Sequence, residues 1–214
     1  DGMFVREADP GPGAPGTLLW VHGLGESGLG FERIVGEGDL AAWRHLVPDL
    51  PGYGRSPWIS PPPDLPELAD CLARWLELEG EAQVTLVGHS MGGVIGQMLV
   101  ERHPERVRAL VDVDGNVSEG DCVFSKRVSG QSLEAFVAER FAKLCDAIYH
   151  QGVEDLPLRG YYASLRLANP MAFYRNAEEL VALSTPETLA EALAALPVPK
   201  IYVAGYPHGA AARS

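Results

Sequence analysis

The pentapeptide Gly88-His89-Ser90-Met91-Gly92 carries the chemistry most readily read from this chain. It fits G-x-S-x-G, and its flanks give the pattern meaning. Val84-Thr85-Leu86-Val87 is an apolar, β-branched run of strand length, and Val94 to Arg102 reads as a helix stopped at Pro104. Strand, sharp turn, serine and helix together describe a nucleophile elbow. A serine hydroxyl must stand clear of such a turn, and a glycine two residues either side lets strand and helix approach without a Cβ clash. The helix start behind the serine adds unpaired N–H groups and a field that favours developing negative charge. The competing reading is a glycine-rich turn with an incidental serine.

A serine nucleophile needs a base and an acid to orient that base. Six histidines are available. His22 lies in a glycine-rich loop, and His89 precedes the serine with its side chain expected to point away from the hydroxyl. His45 begins a strand, His103 suits a helix C-terminus, and His150 falls in a helical region. His208 is the last. Among the acids, Asp114 closes the strand Val107 to Val113. It serves equally as an Asx-turn residue, because Asp-Gly-Asn is turn chemistry. Asp112 and Asp121 are the alternatives.

The elements that position these residues alternate. Met3 to Ala8 and Thr17 to Val21 read as strands, Phe31 to Trp43 as a weak helix broken by Gly36 and Gly38, and Arg44 to Leu50 as a strand. Glu67 to Glu79 is an amphipathic helix with an apolar stripe of Leu68, Leu72, Trp75, Leu76 and Leu78. Such alternation implies right-handed crossovers and a mostly parallel sheet with helices on both faces. Ligands bind at the carboxyl ends of strands in such sheets, where Ser90 and Leu24 both fall. Residues Leu133–Leu144, Leu158–Ala168 and Met171–Leu183 break the rhythm with helices. Pro186 to Leu196 is a further helix and Lys200 to Gly205 a last strand.

Composition narrows the classes. The 214 residues suffice for one core with an inserted subdomain, and a net charge of −12 disfavours nucleic acid and anionic membrane as partners. No signal-peptide core or membrane-length apolar run is present, so a soluble, cytoplasmic protein is expected. Cysteines 71, 122 and 145 are odd in number and widely spaced, against a disulfide framework or a zinc site. Cys71 reads as a core residue.

Three motifs taken together resemble the α/β-hydrolase superfamily, in its serine-nucleophile branch. They are the elbow, Leu18-Leu19-Trp20-Val21-His22-Gly23-Leu24-Gly25 as a strand with an H-G-x oxyanion loop, and Asp49-Leu50-Pro51-Gly52-Tyr53-Gly54-Arg55-Ser56 as D-x-P-G-x-G-x-S. They stand in family order over about the first 115 residues. The resemblance implies a core in 1–116, a helical cap in 117–185 and a return to the core in 186–214. It implies an oxyanion hole from the N–H groups of Leu24 and Met91, and Ser90 and Asp114 as catalytic residues. Tyr161, Tyr162 and Phe173 are candidates to line an acyl pocket, although simple packing of the cap helices is the stronger reading for these aromatics.

The family's usual acid position follows the strand at Lys200 to Gly205, where this chain offers Gly205-Tyr206-Pro207-His208 and no carboxylate. Some family members instead carry the acid at the end of the preceding core strand, and by that resemblance the place falls to Asp114. The family's histidine follows one further strand, so the base is expected beyond Ser214, in elements needing roughly 40 residues. By the same reasoning, the apolar edge at Ile201, Tyr202 and Val203 is expected to be covered by further chain or by a neighbouring molecule. The implied activity is hydrolysis of an ester-like or thioester-like small-molecule acyl substrate, with no metal or organic cofactor. Carboxylesterase, lactonase, C–C hydrolase and perhydrolase remain open, as does oligomeric state. A serine at the elbow disfavours the dehalogenase and epoxide hydrolase branches, which use aspartate there. The competing class is a non-catalytic ligand-binding module.

Overall fold

The computed structural model describes residues 2–122, 124–128 and 130–204. Among these, six strands form one sheet in the order β1-β3-β2-β4-β5-β6: β1 Val5–Ala8, β2 Thr17–Val21, β3 Arg44–Pro48, β4 Val84–His89, β5 Val107–Val113 and β6 Lys200–Val203. Only β1 is antiparallel to its neighbour; β2, β3, β4, β5 and β6 run parallel. Central β2 is buried at all five positions, as a parallel strand covered on both faces must be.

The two faces are covered differently. On one, Leu19, Val21 and Leu86 pack with helices α1 (Leu65–Leu78) and α2 (Met91–Arg102) in the main core. On the other, Leu18, Trp20, Val47 and Val87 meet Phe31, Val35, Leu40 and Trp43. That second layer is not the helix expected over Phe31–Trp43. It is coil with two short 3-10 turns, Gly28–Phe31 and Gly38–Ala42. Gly36 and Gly38 take φ of +83° and +53°, left-handed values that stop a helix from propagating. The apolar side chains still reach the sheet, so burial survives without the helix.

Helix α1 begins two residues earlier than its apolar stripe predicts. Asp64 accepts from the Glu67 N–H at 2.8 Å, and Glu67 accepts from the Asp64 N–H at 3.0 Å, a reciprocal capping box. The expected helix Leu133–Leu144 is interrupted. A single turn, α3 (Leu133–Ala135), passes through a π-helical turn, Phe136–Arg140, into α4 (Phe141–Gln151). The wider turn accompanies Phe136 packing against Phe141, Phe173 and Tyr174 at ring separations of 5.5–6.0 Å. Helices α5 (Leu156–Leu165), α6 (Pro170–Ser184) and α7 (Leu189–Ala195) follow, each within a few residues of the segments read as helical.

The α3–α6 region is tied to the core by polar contacts. Tyr53 Oη donates to Asn176 Oδ1 at 2.7 Å, and the Asn169 N–H donates to Gly52 O at 2.8 Å. Both partners on the core side belong to the D-x-P-G-x-G-x-S segment. Fully buried Asp49 holds that segment together, accepting from Arg6 Nη1, the Gly28 N–H and the Arg55 N–H at 2.6–2.8 Å. Among the described residues β6 pairs only with β5, and Ile201, Tyr202 and Val203 are exposed. His208 and Gly205 lie outside the described residues.

Candidate active site

Ser90 sits between β4 and α2 with φ 53° and ψ −119°, a conformation that side-chain-bearing residues seldom adopt. Backbone strain of this kind costs on the order of 1–3 kcal/mol and persists only where the surroundings impose it. Here they do. The Ser90 N–H donates to Val113 O at 3.0 Å, and Ser90 O accepts from the Gly93 N–H at 2.8 Å. A Cβ on Gly88 would lie 2.3 Å from Gly92 O, and one on Gly92 would lie 2.0 Å from Val21 O. Those contacts exclude any side chain, so both glycines are required for the close approach read from the sequence.

Leu24 follows β2 on the same edge of the sheet as Ser90, and Met91 is the first residue of α2. Among the described residues, neither N–H is donated to a backbone oxygen in the turns and loops. The loop that carries Leu24 is held on two sides. Tyr161 Oη, on α5, donates to Leu24 O at 3.0 Å, and the hydroxyls of Ser27 and Ser164 are hydrogen-bonded at 2.8 Å. On the other side, Glu26 Oε2 accepts from the Gly23 N–H at 2.7 Å and lies 2.8 Å from His89 Nδ1. Replacing Tyr161 with phenylalanine is therefore expected to cost about 1 kcal/mol of stability in urea unfolding, the worth of one buried hydrogen bond.

The three aromatic candidates part company. Phe173 is fully buried, packs among Phe136 and Phe141, and meets the backbone at Gly25, where an added Cβ would lie 2.7 Å from its Cε2. Tyr162 packs against Tyr149 at 5.1 Å and under Arg166, within the α4–α5 contact. Tyr161 touches the loop bearing Leu24 through its hydrogen bond to Leu24 O and beside Gly25, which the ring of Phe173 also adjoins.

The acids also separate. Asp114 follows β5 with φ 52°, its N–H donating to Val203 O at 2.8 Å, and it is exposed beside the elbow strand. Asp121 is absorbed locally: its Oδ2 accepts from the Val117 N–H, the Ser118 N–H and Ser118 Oγ at 2.8–3.1 Å. Asp112 is fully buried beneath α2, with Gln97 Nε2 3.4 Å from its Oδ2. Burial raises its carboxyl to about 6, against hydrogen bonds from Gln97 and Gly115. Because the folded value exceeds the ordinary 3.8, the contribution of Asp112 to stability falls as pH rises from about 4 through 6. Asp112→Asn should remove that loss. The expected gain over the parent is on the order of 1–3 kcal/mol at pH 8, with near parity at pH 4, measured by urea unfolding.

The histidines have other partners. His22 is buried and accepts from the Leu50 N–H through Nε2 at 3.0 Å, and burial lowers its pKa. His45 Nδ1 accepts from Trp20 Nε1 at 3.0 Å, and His103 Nε2 lies 2.7 Å from Asp70. Among the described residues Ser90 Oγ donates to Asn116 Oδ1 at 3.4 Å. Asn116 is buried, and its Nδ2 faces Cys122 Sγ at 3.6 Å. Sequence reading missed Asn116 and Glu26. The Asp-Gly-Asn turn and the glutamate three residues after Gly23 were the visible signals, but neither fixes a partner by itself.

A family model described as alpha/beta hydrolase fold matches residues 16–146. The chain belongs to that family. A lipase, LipV, of Mycobacterium tuberculosis is 37% identical over 108 residues, which cover 50% of this chain and 40% of the lipase. A pimeloyl-[acyl-carrier protein] methyl ester esterase of Chromobacterium violaceum is 36% identical over 108 residues, covering 50% of this chain and 39% of the esterase. The matches with these curated relatives thus span about two-fifths of their length. An enol-lactonase structure from Burkholderia xenovorans superposes with a TM-score of 0.76 at 19% identity, covering 95% of this chain and 77% of the lactonase. At that identity the likeness concerns the fold. In this α/β-hydrolase no described helix is long and apolar enough to cross a membrane.

Proposed function

We propose that this protein is a serine hydrolase that cleaves an ester-like or thioester-like small-molecule acyl substrate through an acyl-enzyme on Ser90. The strained Ser90 backbone at a strand-to-helix turn, with no room for a side chain at Gly88 or Gly92, carries this reading. A turn that only connects two elements has no use for a serine in that conformation. Relatives named as a lipase and a methyl ester esterase support an acyl-ester substrate class.

In this reading the Ser90 hydroxyl loses its proton to a histidine outside the described residues as Oγ attacks the acyl carbonyl. The carbonyl electrons move to oxygen, and the N–H groups of Leu24 and Met91 receive the resulting charge. Two donors fixed in advance contribute several kcal/mol to such a step. Collapse expels the alcohol or thiol, which takes the proton from the histidine, and water then releases the acid by the reverse proton route. Asp114 orients the histidine. Residues 117–185 form the cap and shape the acyl pocket, with Tyr161, Tyr162 and Phe173 as its candidate lining and Tyr161 and Phe173 nearest the loop bearing Leu24. No metal or organic cofactor takes part.

Rapid mixing of the full chain with a nitrophenyl ester tests the acyl-enzyme. A burst of nitrophenol approaching one equivalent per Ser90 is expected, followed by slower turnover. A second reading, a binding module without a working triad, is favoured by the Ser90–Asn116 hydrogen bond and by the other partners of the described histidines. Absence of both burst and turnover would establish it.

A further inference from the structure

Glu26 and His89 stand out because the elbow chemistry does not use them, yet they meet beside Ser90. A Cβ placed on Gly23 would lie 2.9 Å from Glu26 Oε2, 3.2 Å from His89 Nδ1 and 3.2 Å from Ser90 Cβ. The three side chains therefore converge where the loop after β2 meets the end of β4. Glu26 Oε2 bridges the two elements, accepting from the Gly23 N–H at 2.7 Å and contacting His89 Nδ1 at 2.8 Å. Glu26 is about one-fifth exposed at its side chain and His89 about one-third, so neither is buried without water nearby.

We propose that Glu26 and His89 are a positioning pair: Glu26 clamps the loop bearing the Leu24 N–H to the nucleophile elbow, and His89 neutralises the Glu26 carboxylate that would otherwise oppose the oxyanion. This rests on the reading of Ser90 as nucleophile and Leu24 as an oxyanion donor. The physical argument concerns charge. A carboxylate hydrogen-bonded to the residue before Leu24 repels negative charge arriving at the hole, and low local dielectric strengthens that repulsion. An imidazolium at 2.8 Å cancels it while leaving the mechanical tie in place.

The surroundings keep both partners charged. Burial works to raise Glu26, but the His89 hydrogen bond and charge, with the Gly23 N–H, bring it below its ordinary 4.5. Burial works to lower His89, but the hydrogen bond and charge of Glu26, then Asp114 and Asp112 on the β5 side, raise it above 6.5. Burial lowers the pKa of His22, the neighbouring imidazole in the same loop. The pair is thus intact between a pH below 4.5 and one above 6.5 and is lost as pH rises through the His89 value.

Three variants of the full chain test this: Glu26→Gln, His89→Gln and the double variant. The readouts are the rate of Ser90 labelling by a fluorophosphonate and the NMR titration of His89. Glu26→Gln keeps an acceptor for the Gly23 N–H but loses the charge assistance of that bond and of the tie to His89, so the clamp weakens and labelling should slow about tenfold. His89→Gln leaves the carboxylate uncompensated and should slow it about a hundredfold, comparable to losing an oxyanion donor. The double variant should recover to the Glu26→Gln level, which a purely structural role does not produce. In the parent, His89 should titrate above 6.5, and in Glu26→Gln the midpoint should fall. Losses that multiply in the double variant, parental labelling in Glu26→Gln, or an unchanged His89 midpoint would each overturn the proposal. A parent that does not label at all would count against Ser90 as the nucleophile, while the His89 titration would still decide whether the pair exists.

Discussion

Ester turnover by the Ser90→Ala variant is expected to fall by several orders of magnitude while its unfolding transition stays close to the parent's. Removal of the nucleophile in a well-studied serine protease costs on the order of 10⁶ in kcat, because the remaining groups cannot act without it. The stability expectation follows from the backbone. Alanine at φ 53° meets the same strain as serine, and the lost Oγ contact is a 3.4 Å hydrogen bond to Asn116. Steady-state rates with a short-chain nitrophenyl ester, together with a urea transition, check both halves. Undiminished turnover would mean that another residue attacks.

Asp114→Asn is expected to lower the rate on the order of 10⁴-fold if the acid orients the base, as in the best-studied triad. The substitution keeps the shape of the side chain, and asparagine tolerates the left-handed φ of 52° found at this position. The fold should therefore survive, and circular dichroism would show it. A loss below tenfold would return Asp114 to a turn role. The alternatives do not then step forward equally. Asp121 is occupied by three donors of its own loop, whereas Asp112 lies in the core under α2. A rate effect at Asp112 would have to be separated from the stability change predicted for it at alkaline pH.

Much of the frame was legible in the sequence because it depends on local rules. Strands β2, β4 and β5 are short apolar runs next to glycines, and α1 and α2 carry clear stops or stripes, so their order and type followed from the residues. The elbow was legible for the same reason: its two glycines are demanded by contacts of 2.0–2.3 Å that no other residue can meet. The helix expected over Phe31–Trp43 was not formed, because its apolar residues satisfy the sheet from a coil, and spacing cannot distinguish the two. Phe173 shows the limit for aromatics. Its burial depends on Phe136 and Phe141, residues more than thirty positions away, so sequence pattern cannot tell a pocket wall from a core. Asn116 and Glu26 were missed because their partners, Ser90 and His89, are distant in the chain.

The central claim is that Ser90 is an activated nucleophile. Exposure of the full chain to a fluorophosphonate, followed by intact-mass measurement and peptide mapping, tests it most directly. One adduct per chain on the peptide containing Ser90, absent in Ser90→Ala, is the predicted result. An unmodified chain, or an adduct on any other residue, would contradict it.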